Sequence, residues 1–176
     1  MGDRGHGRHG GPLCECGQRG CLEAVASGTA IAKRWPSAGG AALAASALLA
    51  AAAAGDGVAA EVRDEVAAYL AGAVALIAQM VDPQIIVLGG GVAEAGAPLL
   101  DAVVDALHAR AARSPVLAAL DLAGRLALVP EGVPAGALGA ALLARAHLAA
   151  DSVRTAANSA GDGHRGRLTE TRRATL

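Results

Sequence analysis

Phenylalanine is absent, and one Trp and one Tyr are the only aromatics among the 176 residues. With only Trp35 and Tyr69 as stacking platforms, a surface that reads nucleic-acid bases is not expected. Charge imbalance is also missing: 15 Lys and Arg against 16 Asp and Glu leave a net charge of -1. Binding of nucleic acid as a polyelectrolyte is therefore not expected either. Cysteine occurs three times, all between Cys14 and Cys21. An odd count crowded into one segment does not make a disulfide framework, and the expected compartment is the reducing cytoplasm. Residues Met1 to Gly11 are polar and Gly-rich with no apolar stretch, so no secretory leader is expected there. Strongly apolar, charge-free runs of about 18 residues are lacking too, which argues against a membrane span. What is abundant is alanine, 47 residues, and arginine, 14 to a single lysine. That bias is compositional, and no internal repeat accompanies it.

Four zones follow along the chain. Residues 1–20 are rich in Gly, His, Arg and Cys and hold no regular pattern. In the second zone, Cys21 to Val81, a helix is expected from Leu22 to Arg34, stopped by Pro36. A second runs from Ala41 to Ala54, ended by Gly55 and Gly57. A third covers Val58 to Val81, where Val62, Val66, Tyr69, Leu70, Val74, Ile77 and Val81 recur at helical spacing and form the expected apolar face. The third zone, Asp82 to Leu148, alternates. Ile85 to Leu88 is a β-branched run expected to be a strand buried on both faces. Gly89, Gly90 and Gly91 end it. Helix Pro98 to Ala112, strand Leu126 to Val129 and helix Pro134 to Ala149 complete an α/β order. The fourth zone, Asp151 to Leu176, is polar without apolar period and is expected to be disordered.

The sharpest chemical signal is Cys14-Glu15-Cys16-Gly17-Gln18-Arg19-Gly20-Cys21. Thiolates this close can converge on one tetrahedral ion at Zn–S distances of about 2.3 Å. Gly17 and Gly20 let the backbone fold around it. A histidine suits the fourth position, and His6 and His9 both lie upstream. Three consecutive glycines at 89–91 exceed what a turn needs and would let a nucleotide's phosphate or ribose approach the backbone. An ordinary strand-to-helix turn is the alternative. Neither a P-loop nor a dinucleotide fingerprint is satisfied. His108 and His147 sit in helical stretches without partners and His164 near the end, so none is a site candidate.

These residues resemble the ROK family of bacterial sugar kinases and sugar-responsive repressors. The Cys-x-Cys-Gly-x-x-Gly-Cys-Leu-Glu pattern, followed by Ser27-Gly28, is similar to the family's zinc signature. Asp82 to Val92 resembles its strand and glycine turn near the nucleotide, and Ala135 to Ala141 its closing helix. The likeness runs from about Gly5 to Leu148. It implies an α/β fold of the actin/hexokinase/Hsp70-like ATPase class, represented here by the C-terminal portion of the larger lobe with an N-terminal zinc loop. The implied domains are a zinc loop at 1–21, a kinase-like portion at 22–149 and a tail at 150–176.

By the same resemblance, Glu23 accepts hydrogen bonds from sugar hydroxyls, a role suited to an acceptor-only carboxylate. Without the family, Glu23 is a favourable charge at a helix start. The family's Gly-His supplies a fourth metal ligand and a sugar contact. At the usual spacing that position is Arg4, so Gly5-His6 is preferred after a two-residue shortening, with His9 second. The family's preceding Glu falls on Asp3. Implied partners are a hexose or N-acetylhexosamine, structural zinc at Cys14, Cys16, Cys21 and His6, and ATP with Mg in an intact protein. Gly89, Gly90 and Gly91 are the implied nucleotide contacts. Gly136 and Gly139 lie near the adenine or serve helix packing. A homo-oligomer is possible on family grounds.

Two family motifs have no counterpart in these residues. They are an Asp-x-Gly-Gly-Thr loop for the ATP phosphates and an Asn-Asp pair whose Asp takes the sugar proton; the only Asn is Asn158. No catalytic residue is therefore assigned. The expectation is a C-terminal fragment of a glucokinase-like enzyme, inactive alone. The alternatives are a fragment of a sugar-responsive regulator or a non-catalytic zinc-bearing remnant.

Overall fold

The computed structural model describes residues 11–36, 40 and 43–152. His6, His9 and the polar tail beyond 152 fall outside the described residues. Two compact units are present, Met1–Gly132 and Val133–Leu176. The first contains, in order, α1 (Leu22–Ala26), α2 (Gly28–Arg34), α3 (Ala44–Ala53), α4 (Gly57–Val81), β1 (Ile86–Leu88), α5 (Ala97–Ala111), α6 (Pro115–Ala119) and β2 (Leu126–Leu128). The described part of the second is a helix over 135–152, which runs past the expected end at Ala149.

The expected single helix from Leu22 to Arg34 is two helices with an elbow at Ser27. Ser27 leaves the helical region at ψ 160, and its side-chain oxygen accepts the Ala30 N–H at 3.1 Å. A serine whose hydroxyl caps the next turn ends one helix and starts another. Asp56 does the same for α4, accepting the N–H groups of Val58 and Ala59 at 2.9 and 3.0 Å. Gly57, expected to lie in a turn, is the first residue of α4. Helix α6 has a readable signal in Ser114-Pro115, an N-cap followed by proline in the first turn.

Helix α4 is the spine of the first unit, and its buried side matches the expected one only in part. Ala59, Ala67, Ala71, Ala75 and Ala78 are buried beside Val62, Val66 and Val74. Tyr69, Ile77 and Val81 face outward; Tyr69 is 44% exposed while Ala71 is 0% exposed. Methyl-sized side chains let α3 and α5 approach the α4 backbone closely, so the small residues take the crowded side. Two apolar clusters result. One joins α1 to α3 and the start of α4 around Ile31, Trp35 and Val66. The other joins the rest of α4 to α5 and β1 around Val74, Leu99 and Val103. By length and composition α4 could cross a membrane, with an 18-residue window of mean hydropathy 1.4. That finding corrects the expectation that no such run exists. In the structure its alanine side is the centre of the core.

β1 and β2 form a two-stranded parallel sheet with Ile86 opposite Leu126 and Leu88 opposite Leu128. The ladder extends on both sides, from Ile86 N–H to the Arg125 carbonyl at 2.8 Å and from Val129 N–H to the Leu88 carbonyl at 2.9 Å. The expected burial on both faces holds for one only: Ile86 is 9% exposed and Val87 55%. Arg125 ties the sheet to the end of α4 through Asp82 Oδ1 at 2.6 Å and the Pro83 carbonyl.

Val87, Ile85, Leu76, Ile77 and Met80 are all exposed apolar side chains, and parallel sheets are ordinarily covered on both faces. The expectation from these faces is that the isolated chain self-associates. Its unfolding midpoint and sedimentation coefficient should rise with protein concentration; a sharp, concentration-independent monomer transition would contradict this. The two N–H donors of α4, Ala59 foremost, hold the Asp56 carboxyl below its ordinary range, aided by Trp35 Nε1–H at 3.3 Å. Its contribution is present above the unfolded carboxyl value and lost as pH falls through the lower folded one. Asp56→Ala should lower the thermal midpoint by several degrees at neutral pH, with the difference shrinking in acid, as melting curves from neutral pH downward will show.

Candidate functional site

Residues 11–21 form a tight hairpin. Leu13 pairs with Arg19 as an antiparallel bridge, and Gly20 N–H reaches the Pro12 carbonyl at 3.0 Å. Cys14 N–H donates to the Gln18 carbonyl at 2.8 Å, and the Cys14 carbonyl accepts Gly17 N–H at 2.9 Å. Gly17 turns the chain at φ +85, a value that favours glycine. Gly11 and Gly20 cross so closely that a Cβ on Gly11 would lie 2.9 Å from the Gly20 nitrogen.

This hairpin gathers the three cysteines. Their sulfurs all lie within 4.8 Å of one another, with Cys16 and Cys21 at 3.6 Å. Thiolates around one tetrahedral ion at 2.3 Å stand about 3.8 Å apart, so the trio fits a metal ion. Cys16 titrates below its ordinary value, chiefly because the Gln18 backbone N–H faces its sulfur, then through hydrogen bonds with Cys21 and Cys14. Cys21 is pushed up to about 11, first by the hydrogen it shares with Cys16, then by partial burial. Of this pair, Cys16 gives up its proton more readily than Cys21. His6 and His9, the expected fourth ligands, lie outside the described residues.

Cys21 directly precedes α1, and Glu23 occupies the first turn of that helix. Arg34 fixes the position of α1. Its guanidinium donates to the Val25 carbonyl at the end of α1, to the Ala30 carbonyl in α2 at 3.4 Å, and to Glu65 of α4 at 2.8 Å. Three helices are thereby held at one point.

A cleft of about 620 Å³ opens between the α1–α2 elbow and the glycine turn after β1. Glu23, Ser27, Gly28 and Thr29 of the elbow line it together with Leu70 of α4 and with Gly89, Gly91 and Val92 of the turn after β1. Glu23 and two of the three glycines therefore share one cavity of small-molecule size. The glycines differ in their reasons. A Cβ on Gly89 would press Val129 at 2.9 Å, Gly90 has φ +87, and Gly91 faces open space. Only Gly91 is free of both packing and backbone demands. Sequence reasoning did not single out Thr29 and gave Leu70 only as part of an apolar helix face, and the elbow that brings Thr29 into the cleft was readable in Ser27-Gly28. A second hollow of about 430 Å³ lies by the hairpin, lined by Cys14, Glu15, Lys33 and Tyr69, and it shares Glu23, Ser27 and Thr29. Gly136 and Gly139 lie in the second unit, and a Cβ on either would meet nothing within 4 Å.

Comparison with known proteins gives a consistent picture. The sequence profile of the ROK family matches residues 1–147. A glucokinase of Thermotoga maritima is 41% identical over 113 residues, which cover 54% of this chain and 36% of that protein. A glucokinase of Halalkalibacterium halodurans is 37% identical over 107 residues, or 52% and 32%. An N-acetylmannosamine kinase of Yersinia pestis is 36% identical over 85 residues, or 47% and 28%. The crystal structure of a ROK hexokinase from Thermus thermophilus superposes with a TM-score of 0.58 at 33% identity, covering 77% of this chain and 45% of that one. The chain thus matches less than half the length of each of these relatives.

One zinc ion per chain is the expected uptake, measured by metal analysis after dialysis. Loss of a ligand exceeds the 10–100-fold cost of losing an outer-shell partner, so Cys16→Ser should weaken binding by about a hundredfold or more, while Glu15→Ala should leave it near wild type.

Proposed function

Because the chain belongs to the ROK family, we propose that it is the metal-loop and cleft-forming portion of an ATP-dependent sugar kinase acting on a hexose or N-acetylhexosamine. The observation that carries this reading is the single cleft lined by Glu23 together with Gly89 and Gly91. The relatives' activities, glucokinase and N-acetylmannosamine kinase, support the substrate class. In this reading the parent fold is the actin/hexokinase/Hsp70-like ATPase fold, the larger lobe's C-terminal portion.

Roles follow from chemistry. The Glu23 carboxylate accepts two sugar hydroxyl donors and fixes the ring's orientation. His6 would add a sugar contact and, with Cys14, Cys16 and Cys21, would hold a structural zinc ion. Ligation through Cys21, the residue before α1, would tie the start of that helix, and so Glu23, to the loop. Gly89, Gly90 and Gly91 present backbone to the nucleotide, and Gly91 leaves the most room. ATP with Mg supplies the phosphoryl group in an intact enzyme. Positioning and charge neutralisation do most of the work in that transfer. The phosphate loop and the proton-accepting Asp are not among these 176 residues, so we propose that they bind sugar without phosphorylating it. Cytoplasmic location and assembly with further copies belong to the same reading.

Calorimetric titration of the zinc-loaded chain with glucose and with N-acetylmannosamine tests it. Binding of one of them is expected, weakened about tenfold or more by Glu23→Gln, since hydrogen bonds to a charged group contribute about 1.5–3 kcal/mol. Sugar binding indifferent to Glu23, or ATP-dependent phosphorylation by the chain alone, would contradict it.

A further inference from the structure

Cys16 and Cys21 differ from Cys14 in a way that metal ligation does not require. Cys14 is held by hydrogen bonds at both its N–H and its carbonyl. Cys16 is exposed at the tip of the hairpin, and Cys21, the last residue before α1, is held at its carbonyl by Ala24 N–H at 2.9 Å. Each adjoins a glycine at positive φ, Gly17 or Gly20. Their sulfurs are 3.6 Å apart, and a disulfide needs about 2.0 Å. The remaining gap is small enough for two glycine hinges to close.

We propose that Cys16 and Cys21 form a reversible dithiol, a modification site for peroxides, and that their disulfide and a bound cation are mutually exclusive states of the hairpin. The second half rests on the metal reading above. Chemically, the exposed Cys16 thiolate attacks hydrogen peroxide, breaking the O–O bond to give a sulfenic acid and hydroxide. The Cys21 sulfur then attacks that sulfur, forming the S–S bond, while the Cys21 proton leaves with the displaced hydroxide as water. Two electrons pass from the two sulfurs to the peroxide, and a dithiol reductant returns them. Disulfide sulfurs no longer offer thiolate ligands, so only Cys14 of the trio remains for the ion. Cys21 leads straight into the turn that carries Glu23, so the change reaches the cleft.

The full chain, loaded with zinc alone, is treated with increasing hydrogen peroxide. A chromogenic chelator reads the released zinc, and remaining thiols are alkylated before digestion. Cleavage after Glu15 and Arg19 leaves each cysteine on its own peptide, so pairing is read directly by mass spectrometry. The expected result is one zinc released per Cys16–Cys21 disulfide, with Cys14 alkylated and dithiothreitol restoring zinc uptake. Cys14→Ser should still form the disulfide. A disulfide involving Cys14, or Cys16 sulfinate without any disulfide, would overturn the proposal and leave the metal reading intact. A chain that takes up no zinc yet pairs Cys16 with Cys21 would overturn the metal reading and the exclusivity, while the dithiol stands.

Discussion

One guanidinium organises the first unit. Arg34 sits at the end of α2, yet it donates to the last turn of α1 and to Glu65 on α4. The elbow at Ser27 makes this possible by pointing α2 back across α1. A continuous helix from 22 to 34 would carry Arg34 away from Val25 and would open the wall that Ser27, Gly28 and Thr29 build. The Arg34–Glu65 pair is partly solvent-exposed, and such pairs contribute little by themselves. The gain is geometric, because a carbonyl left free where α1 ends, that of Val25, receives a donor and the angle between two short helices is fixed. The cysteine hairpin, Glu23 and the cleft all inherit their positions from that angle.

Alanine has a related structural role. With 47 alanines and almost no aromatics, the chain has few bulky side chains to fill gaps between helices. It closes the gaps by bringing backbones together along the alanine side of α4. Leucine and valine from α3 and α5, such as Leu48, Leu49, Leu99 and Val103, then provide the larger buried surfaces. Trp35, the only tryptophan, lies where the turn into α4 needs both bulk and a donor for Asp56.

Much of this arrangement was legible in the amino-acid order. Helix positions, the order of strand, glycine turn and helix, and the convergence of three cysteines followed from period and spacing. The errors have physical causes. The apolar stripe of α4 was placed on Tyr69 and Ile77 because side-chain hydrophobicity was weighed without side-chain size, and methyl groups took the crowded side. The elbow was missed because Ser27 lies inside an otherwise helical pattern, although serine followed by glycine is a start signal. Ile85 to Leu88 was expected to be covered on both faces because its composition is that of an interior strand; Val87 has no cover within the first unit. Thr29 entered the cleft through the elbow, so only the Ser27 cap signal could have marked it.

The crossing of Gly11 and Gly20 has a consequence for how the hairpin meets an ion. Two backbones at van der Waals distance, with a bridge and three turn hydrogen bonds between them, close the loop through the polypeptide's own contacts. The entropy of gathering the sulfurs is then spent during folding and not at the moment of ligation. An ion arriving there would meet three sulfurs already within 4.8 Å of one another, and discrimination among cations would depend on preferred geometry as much as on intrinsic affinity.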